Sequence, residues 1–121
     1  MASNVMKVSN WVKACAAEDI PPFEGRRIKI EGSYVGVFHT GEGFYAIGDV
    51  CPHLGGPLSD GIVAGTEVSC PLHNRRVALK SGEMAGGDLS CRVPTFPVEV
   101  RGSMVYLDVS VLEKEQGFIA I

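Results

Sequence analysis

The chain has 121 residues, of which 45% are hydrophobic and 21% are charged, a composition typical of one packed globular domain. Its formal net charge of -3 argues against a nucleic-acid partner, because phosphate binding requires clustered lysine and arginine. No stretch reaches the ~20 apolar residues of a membrane span, and no basic start followed by an apolar run marks a secretory signal. We therefore expect one cytoplasmic domain covering residues 1–121.

The first segment with a recognisable pattern is VSNWVKACAAEDI, at residues 8–20. Its middle is rich in alanine and its apolar residues show some helical spacing. Pro21 and Pro22 follow at once and end any helix there, since proline has no amide hydrogen to donate. The sequence therefore predicts no long helix here, and we expect Trp11 to pack this segment onto the rest of the domain.

The next part of the chain indicates a meander of β-hairpins. Three runs rich in isoleucine, valine, tyrosine and phenylalanine lie between residues 26 and 50, separated by Glu31–Gly32 and by residues 41–43. Short apolar runs broken by glycine-containing turns are typical of antiparallel hairpins. The basic pairs Arg26–Arg27 and Arg75–Arg76 fit solvated strand faces, and His39 fits a surface position at the end of a strand.

Further strand-like runs follow at IVAGTEVSC, RRVALK, FPVEV and MVYLDV. Arg101–Gly102–Ser103 joins the last two runs as a turn. Seven or so short strands at this spacing predict an all-β fold, an antiparallel sandwich or barrel. The tail LEKEQGFIAI has no pattern that decides between docking along the domain and extending from it.

Two proline-marked turns contain the residues that carry chemistry. They are CPHLGGPLSDG at residues 51–61 and CPLHN at residues 70–74, and each places one cysteine beside one histidine. The first pair is Cys51 with His53, and the second is Cys70 with His73. Cysteines in a chain without a secretory signal indicate metal or redox chemistry rather than a disulfide framework.

Two kinds of metal centre use such a ligand set. Structural zinc sites take cysteine and histidine in tetrahedral sets. A [2Fe-2S] centre in which two histidines replace two cysteines on one iron takes the same residues. The spacing favours the iron–sulfur centre, since each short loop then gives its cysteine to one iron and its histidine to the other. Prolines and glycines in both loops make stiff turns that hold the ligands in place before the cluster arrives. A zinc-stabilised, non-redox interaction module is the alternative from another class.

The run CPHLGGPLSDG…CPLHN resembles the signature of the Rieske iron–sulfur domain, and the strand pattern on both sides agrees with it. The resemblance implies a Rieske-type antiparallel sandwich or barrel. In that fold the loops at about 50–59 and 69–76 form a cluster-binding subdomain. The ligands that the resemblance implies for a Rieske-type [2Fe-2S] cluster are Cys51 and Cys70 on the inner iron, and His53 and His73 on the outer iron.

The resemblance also bears on the reduction potential. Histidine ligands make the cluster less negative than four cysteines do, which raises the potential to about -150 to +300 mV, against about -400 mV in plant-type ferredoxins. High-potential Rieske proteins carry a disulfide between the loops and two hydroxyl donors to the cluster. The matching positions here hold Gly56 and Leu72, and Arg75 and Val77. Without those groups the reduced cluster is less stabilised, so we expect the low-potential end of the range.

Asn74 after the second histidine, with the later CRVPTFPVEV and MVYLDV, resembles the small subunit of assimilatory NAD(P)H-dependent nitrite reductase. In that family a large subunit carrying FAD, a [4Fe-4S] centre and sirohaem reduces nitrite to ammonia. The resemblance implies a one-electron carrier that has no catalytic site of its own. The family often has a tryptophan after the His-Asn pair, and Arg75 stands there in this chain.

The alternative partner is an oxygenase or its reductase. Rieske ferredoxins that supply electrons to ring-hydroxylating dioxygenases usually have glycine and tryptophan after the second histidine. This chain departs from that pattern at both positions, with Asn74 and Arg75, and Asn74 is the residue that favours the nitrite reductase.

The other two cysteines, Leu58 and residues 83–88 are not candidate ligands. Cys15 and Cys91 are expected to be buried thiols that behave as small hydrophobic residues. Leu58 is expected to pack within the first loop. Residues 83–88 are expected to form a third loop near the cluster, in which Gly86–Gly87 fits either a close passage over the cluster or a plain turn.

Overall fold

The computed structural model describes residues 10–50, 57–71, 75–85 and 92–110. These ranges contain ten β-strands and two short 3-10 helices, which confirms the all-β prediction. The strands are β1 (Trp11–Ala16), β2 (Glu24–Ile30), β3 (Ser33–Thr40), β4 (Gly43–Gly48), β5 (Ile62–Ala64), β6 (Glu67–Ser69), β7 (Arg76–Ala78), β8 (Thr95–Phe96), β9 (Val98–Arg101) and β10 (Met104–Asp108); the 3-10 helices are Ala17–Asp19 and Leu58–Asp60. In these same ranges, no helix has the length and hydropathy needed to cross a membrane.

The strands pair into three antiparallel sheets. The base sheet has the order β1-β10-β9, the central sheet β2-β3-β4-β8, and the loop sheet β5-β6-β7. The predicted meander forms the first three strands of the central sheet. Its first turn, Glu31–Gly32, has φ values of 51° and 85°, and two positive φ values are what a type I′ hairpin turn requires.

Within the segment with partial helical spacing, Trp11–Ala16 forms a strand, β1, and Ala17–Asp19 forms a 3-10 helix. The strand pairs with β10 from Trp11 opposite Asp108 to Ala16 opposite Met104, with a bulge between Lys13 and Cys15. A short segment gains little from helix propensity alone, so pairing with β10 determines its structure. The strand count also exceeds the prediction, partly because IVAGTEVSC divides into β5 and β6 at a two-residue turn.

Two hydrophobic cores lie on opposite faces of the central sheet. Successive side chains of a strand point to opposite faces, so β3 directs Val35 and Val37 to one core and Phe38 to the other. The base core, between the central and base sheets, contains Ile20, Val35, Val37, Ala46, Phe96, Val105, Leu107 and Val109. The loop core, between the central and loop sheets, contains Phe38, Ile47, Leu58, Val63, Val68, Cys70, Val77, Leu79, Met84 and Val93.

Cys15 is only half-buried, which corrects the prediction of a buried thiol. The bulge next to it leaves the side chain packed against the edge of the base core rather than inside it. Burial still raises the pKa of the Cys15 thiol, and the nearby carboxylate of Asp19 raises it further. Cys91 lies outside the described residues.

Candidate functional site

One of the four predicted ligands, Cys70, lies within the described residues, and Cys51, His53 and His73 lie outside them. Gly86–Gly87 also lies outside. The part of the chain that the structure describes, with a single predicted ligand in it, contains no group of three His, Cys, Asp or Glu side chains placed to hold a metal. It does contain both ends of each ligand loop, and these ends show how the loops are fixed.

The second ligand loop is a hairpin between β6 and β7. Ser69 pairs with Arg76, and the main-chain N–H of Cys70 donates to the carbonyl oxygen of Arg75 at 2.7 Å. These pairs fix the two ends of the segment that contains residues 71–74. The side chain of Cys70 is fully buried in the loop core, at the base of this hairpin loop. A buried sulfur donor in an apolar setting fits a thiolate ligand of an iron–sulfur cluster.

The first ligand loop begins after Asp49, which is fully buried. The Asp49 carboxylate accepts hydrogen bonds from the main-chain N–H and the Oγ–H of Ser59, both at 2.6 Å. Ser59 lies in the 3-10 helix Leu58–Asp60, at the far end of the loop. Leu58 is fully buried in the loop core, which confirms that it packs within the loop. One carboxylate therefore joins the two ends of the first ligand loop.

Arg27 binds the same carboxylate from β2. Its Nε–H donates to Oδ2 of Asp49 at 2.7 Å, and its Nη2–H donates to the main-chain oxygen of Asp49 at 3.0 Å. Arg26 is exposed and pairs with Glu24, as a solvated strand face predicts, whereas Arg27 directs its guanidinium to a buried acid. Sequence reasoning missed Asp49, Ser59 and this role of Arg27, because the three residues belong to separate elements with no fixed spacing.

The end of the first loop packs directly on the start of the second. Ile62 of β5 pairs with Ser69 of β6, one residue before Cys70. Gly61 lies so close to the Ser69 carbonyl that any Cβ at this position would collide with it. The stems of the two ligand loops are therefore held together by main-chain contact.

The predicted third loop is partly strand-like. Met84 forms a bridge with Val77, and Glu83 forms one with Arg92. An ion pair of 2.7 Å joins the side chains of Glu83 and Arg92 on the surface. Residues 83 and 84 thus form isolated bridges, residue 85 is in a turn, and residues 86–88 lie outside the described part of the chain.

His39 is half-buried rather than fully on the surface. Its Nδ1 lies 2.8 Å from the carbonyl oxygen of Ile20, and its ring stacks on Phe44 with 4.2 Å between ring centres. These contacts join the end of β3 to the segment that follows β1. They give His39 a structural role.

Apolar side chains are exposed beside both ligand loops. Val50, at the start of the first loop, is 49% exposed, and Ile62, beside the stem of the second, is 72% exposed. They flank the loops that contain the predicted histidine ligands.

Residues 10–108 match the family of the Rieske-like [2Fe-2S] domain. The ferredoxin subunit of 3-phenylpropionate/cinnamic acid dioxygenase from Shigella boydii is 34% identical over 102 residues, which cover 83% of this chain and 94% of that protein. The ferredoxin of carbazole 1,9a-dioxygenase from Nocardioides aromaticivorans has a TM-score of 0.72 and 26% identity, covering 82% of this chain and 97% of the other. A protein from Mycobacterium tuberculosis, described as the small subunit of an NADH-dependent nitrite reductase, has a TM-score of 0.73 and 28% identity, covering 80% of this chain and 92% of the other.

Proposed function

Since this chain belongs to the Rieske-like [2Fe-2S] domain family and is an electron carrier with a Rieske-type cluster, we propose that it is the small subunit of an NAD(P)H-dependent nitrite reductase. In this role it passes single electrons in the cytoplasm within an enzyme that reduces nitrite to ammonia. The large subunit, with FAD, a [4Fe-4S] centre and sirohaem, carries out the reduction.

We propose Cys51, His53, Cys70 and His73 as the cluster ligands, with the cysteines on the inner iron. The position of Cys70 supports this assignment, because its thiol is buried in the loop core at the base of the second loop. When bound, the cluster takes up and releases one electron at a time. The loop core shields the Cys70 thiol from water.

The observation that carries the nitrite reductase proposal is the sequence after the second histidine. Asn74 stands where dioxygenase ferredoxins usually have glycine, and it matches the His-Asn pair of the nitrite reductase family. Arg75 replaces a tryptophan that is usual in both families, so Asn74 alone makes the distinction. The structural likeness to the Mycobacterium tuberculosis protein gives additional support.

A Rieske ferredoxin that serves a ring-hydroxylating dioxygenase is the second candidate. The observation in its favour is the 34% identity to the Shigella boydii ferredoxin subunit, which extends over 94% of that protein. Both candidates use the same ligands and the same one-electron chemistry. They differ in the protein that receives the electron.

Rapid mixing of the reduced protein with each partner distinguishes the nitrite reductase subunit from the dioxygenase ferredoxin. One mixture contains a nitrite reductase large subunit with nitrite, and the other contains a dioxygenase terminal oxygenase with its aromatic substrate and oxygen. We expect the visible absorption of the oxidised cluster to return at least about tenfold faster in the first mixture. The large subunit without nitrite is the control. Faster return with the oxygenase would replace the first candidate by the second.

The potential of the bound cluster is a further prediction. Val77 is fully buried and has no hydroxyl to donate, and Gly56 and Leu72 have no thiols to form a disulfide. With fewer donors to the reduced centre, we expect a midpoint in the lower half of the range of about -150 to +300 mV. A redox titration monitored by EPR measures it. A midpoint in the upper half of that range would contradict this expectation.

A further inference from the structure

The buried carboxylate of Asp49 accepts three hydrogen bonds. Oδ1 accepts from the main-chain N–H of Ser59, and Oδ2 accepts from the Ser59 hydroxyl and from Arg27. Asp49 is fully buried, while the side chain of Arg27 is 36% exposed. A buried ion pair contributes little net stability compared with apolar residues of similar volume. Stability alone therefore does not account for a charged group at this position.

The place of Asp49 in the chain points to the cluster loop. Asp49 and Ser59 are ten residues apart, and the first ligand loop with the proposed ligands Cys51 and His53 lies between them. Two hydrogen bonds from one residue to the other close this loop at its neck. A loop that is already closed loses less conformational entropy when its ligands are fixed.

Asp49 is itself fixed on the central sheet. Its main-chain N–H donates to the carbonyl oxygen of Tyr34 at 3.0 Å, and Arg27 holds both its carboxylate and its main-chain oxygen. The guanidinium of Arg27 in turn stacks on the ring of Tyr34 at 4.2 Å. Gly36, opposite Arg27 in β3, leaves room for the carboxylate, since a Cβ there would lie 3.0 Å from Oδ1.

We propose that Asp49 is a positioning residue for the iron–sulfur cluster. Together with Ser59 and Arg27 it holds the first ligand loop in the geometry that the cluster requires. Ligand geometry in metal sites depends on such outer hydrogen bonds, and their loss typically costs 10- to 100-fold in metal affinity. The inference rests on the proposed ligands Cys51 and His53, and is independent of the redox partner.

Asp49→Asn and Ser59→Ala test the proposal in the cluster-loaded protein. Asparagine keeps the shape of the side chain but directs an NH₂ group at existing donors, and alanine removes only the hydroxyl bond of Ser59. We expect both variants to show a broadened or shifted EPR signal after reduction. We also expect the visible absorption of the cluster in Asp49→Asn to bleach about tenfold faster than in the wild type. Bleaching of Ser59→Ala is expected at a rate between those of the wild type and Asp49→Asn.

Val105→Ala is the matched control, because Val105 is fully buried in the base core on the other face of the central sheet. We expect it to lower the Tm without changing the EPR line shape. The proposal is overturned if Ser59→Ala or a folded Asp49→Asn keeps the wild-type line shape and bleaches no faster than Val105→Ala. A wild-type protein that binds iron but shows no Rieske signal would overturn the ligand assignment, and this inference with it.

Discussion

Replacement of His73 by alanine is expected to abolish the rhombic EPR signal of the reduced protein and the visible absorption of the oxidised protein. Mixed histidine and cysteine ligation gives Rieske centres their distinctive properties, and His73 is one of two proposed imidazole ligands. The loop of residues 71–74 offers no second imidazole in its place. We therefore expect iron content per chain to fall to near zero. EPR after dithionite reduction, together with iron analysis, measures the effect.

His39→Gln is the matched control for this prediction. His39 is the one histidine of the three in the chain that is not a proposed ligand, and at the end of β3 its ring contacts the carbonyl oxygen of Ile20 and the ring of Phe44. We expect the control to keep the full signal. A His73→Ala variant with an unchanged signal would remove His73 from the ligand set. A colourless wild-type protein with one zinc per chain would instead favour the zinc-stabilised module.

Gly61→Ala is expected to disrupt the cluster half of the domain. Its new methyl group would overlap the main-chain carbonyl of Ser69, next to Cys70, and neither strand end has room to move without breaking the pairing of Ile62 with Ser69. We expect a loss of about 2–4 kcal/mol in the free energy of unfolding and a lower cluster content. Denaturant unfolding followed by circular dichroism, with iron analysis, measures both.

Gly41→Ala provides the comparison. A Cβ at Gly41 would meet the ring of Phe23 at 3.7 Å, an ordinary van der Waals contact, so we expect a change within about 0.5 kcal/mol. Equal stabilities of the two variants would show that the contact between Gly61 and Ser69 relaxes without cost.

The central meander was predictable because its turns and strands obey local rules. Glu31–Gly32 occupies a two-residue turn with positive φ values, and the apolar runs on either side alternate as paired strands require. β1 was not predictable in this way, because its partner β10 is about ninety residues further along the chain. The pairing and the bulge at Cys15 depend on contacts that local composition does not encode.

The candidate ligands are proposed from short spacing, since Cys51 and His53 are two residues apart and Cys70 and His73 are three residues apart. The residues that hold the ends of the first ligand loop could not be found in this way. The bond between Asp49 and Ser59 spans ten residues, and Arg27 reaches Asp49 from twenty-two residues away in β2. A buried acid at the end of a strand and a serine at the start of a turn are each common. Only the fold shows that they meet.

Both faces of β3 are buried, and this affects how the protein unfolds. Val37 and Phe38 are neighbours in the chain but belong to different cores, so both cores share the strand β3. Unfolding of the loop core would expose one face of β3, whose other face packs in the base core. We therefore expect the two cores to unfold cooperatively, in one transition. An excised cluster-binding fragment would lack the strand that it shares with the rest of the protein.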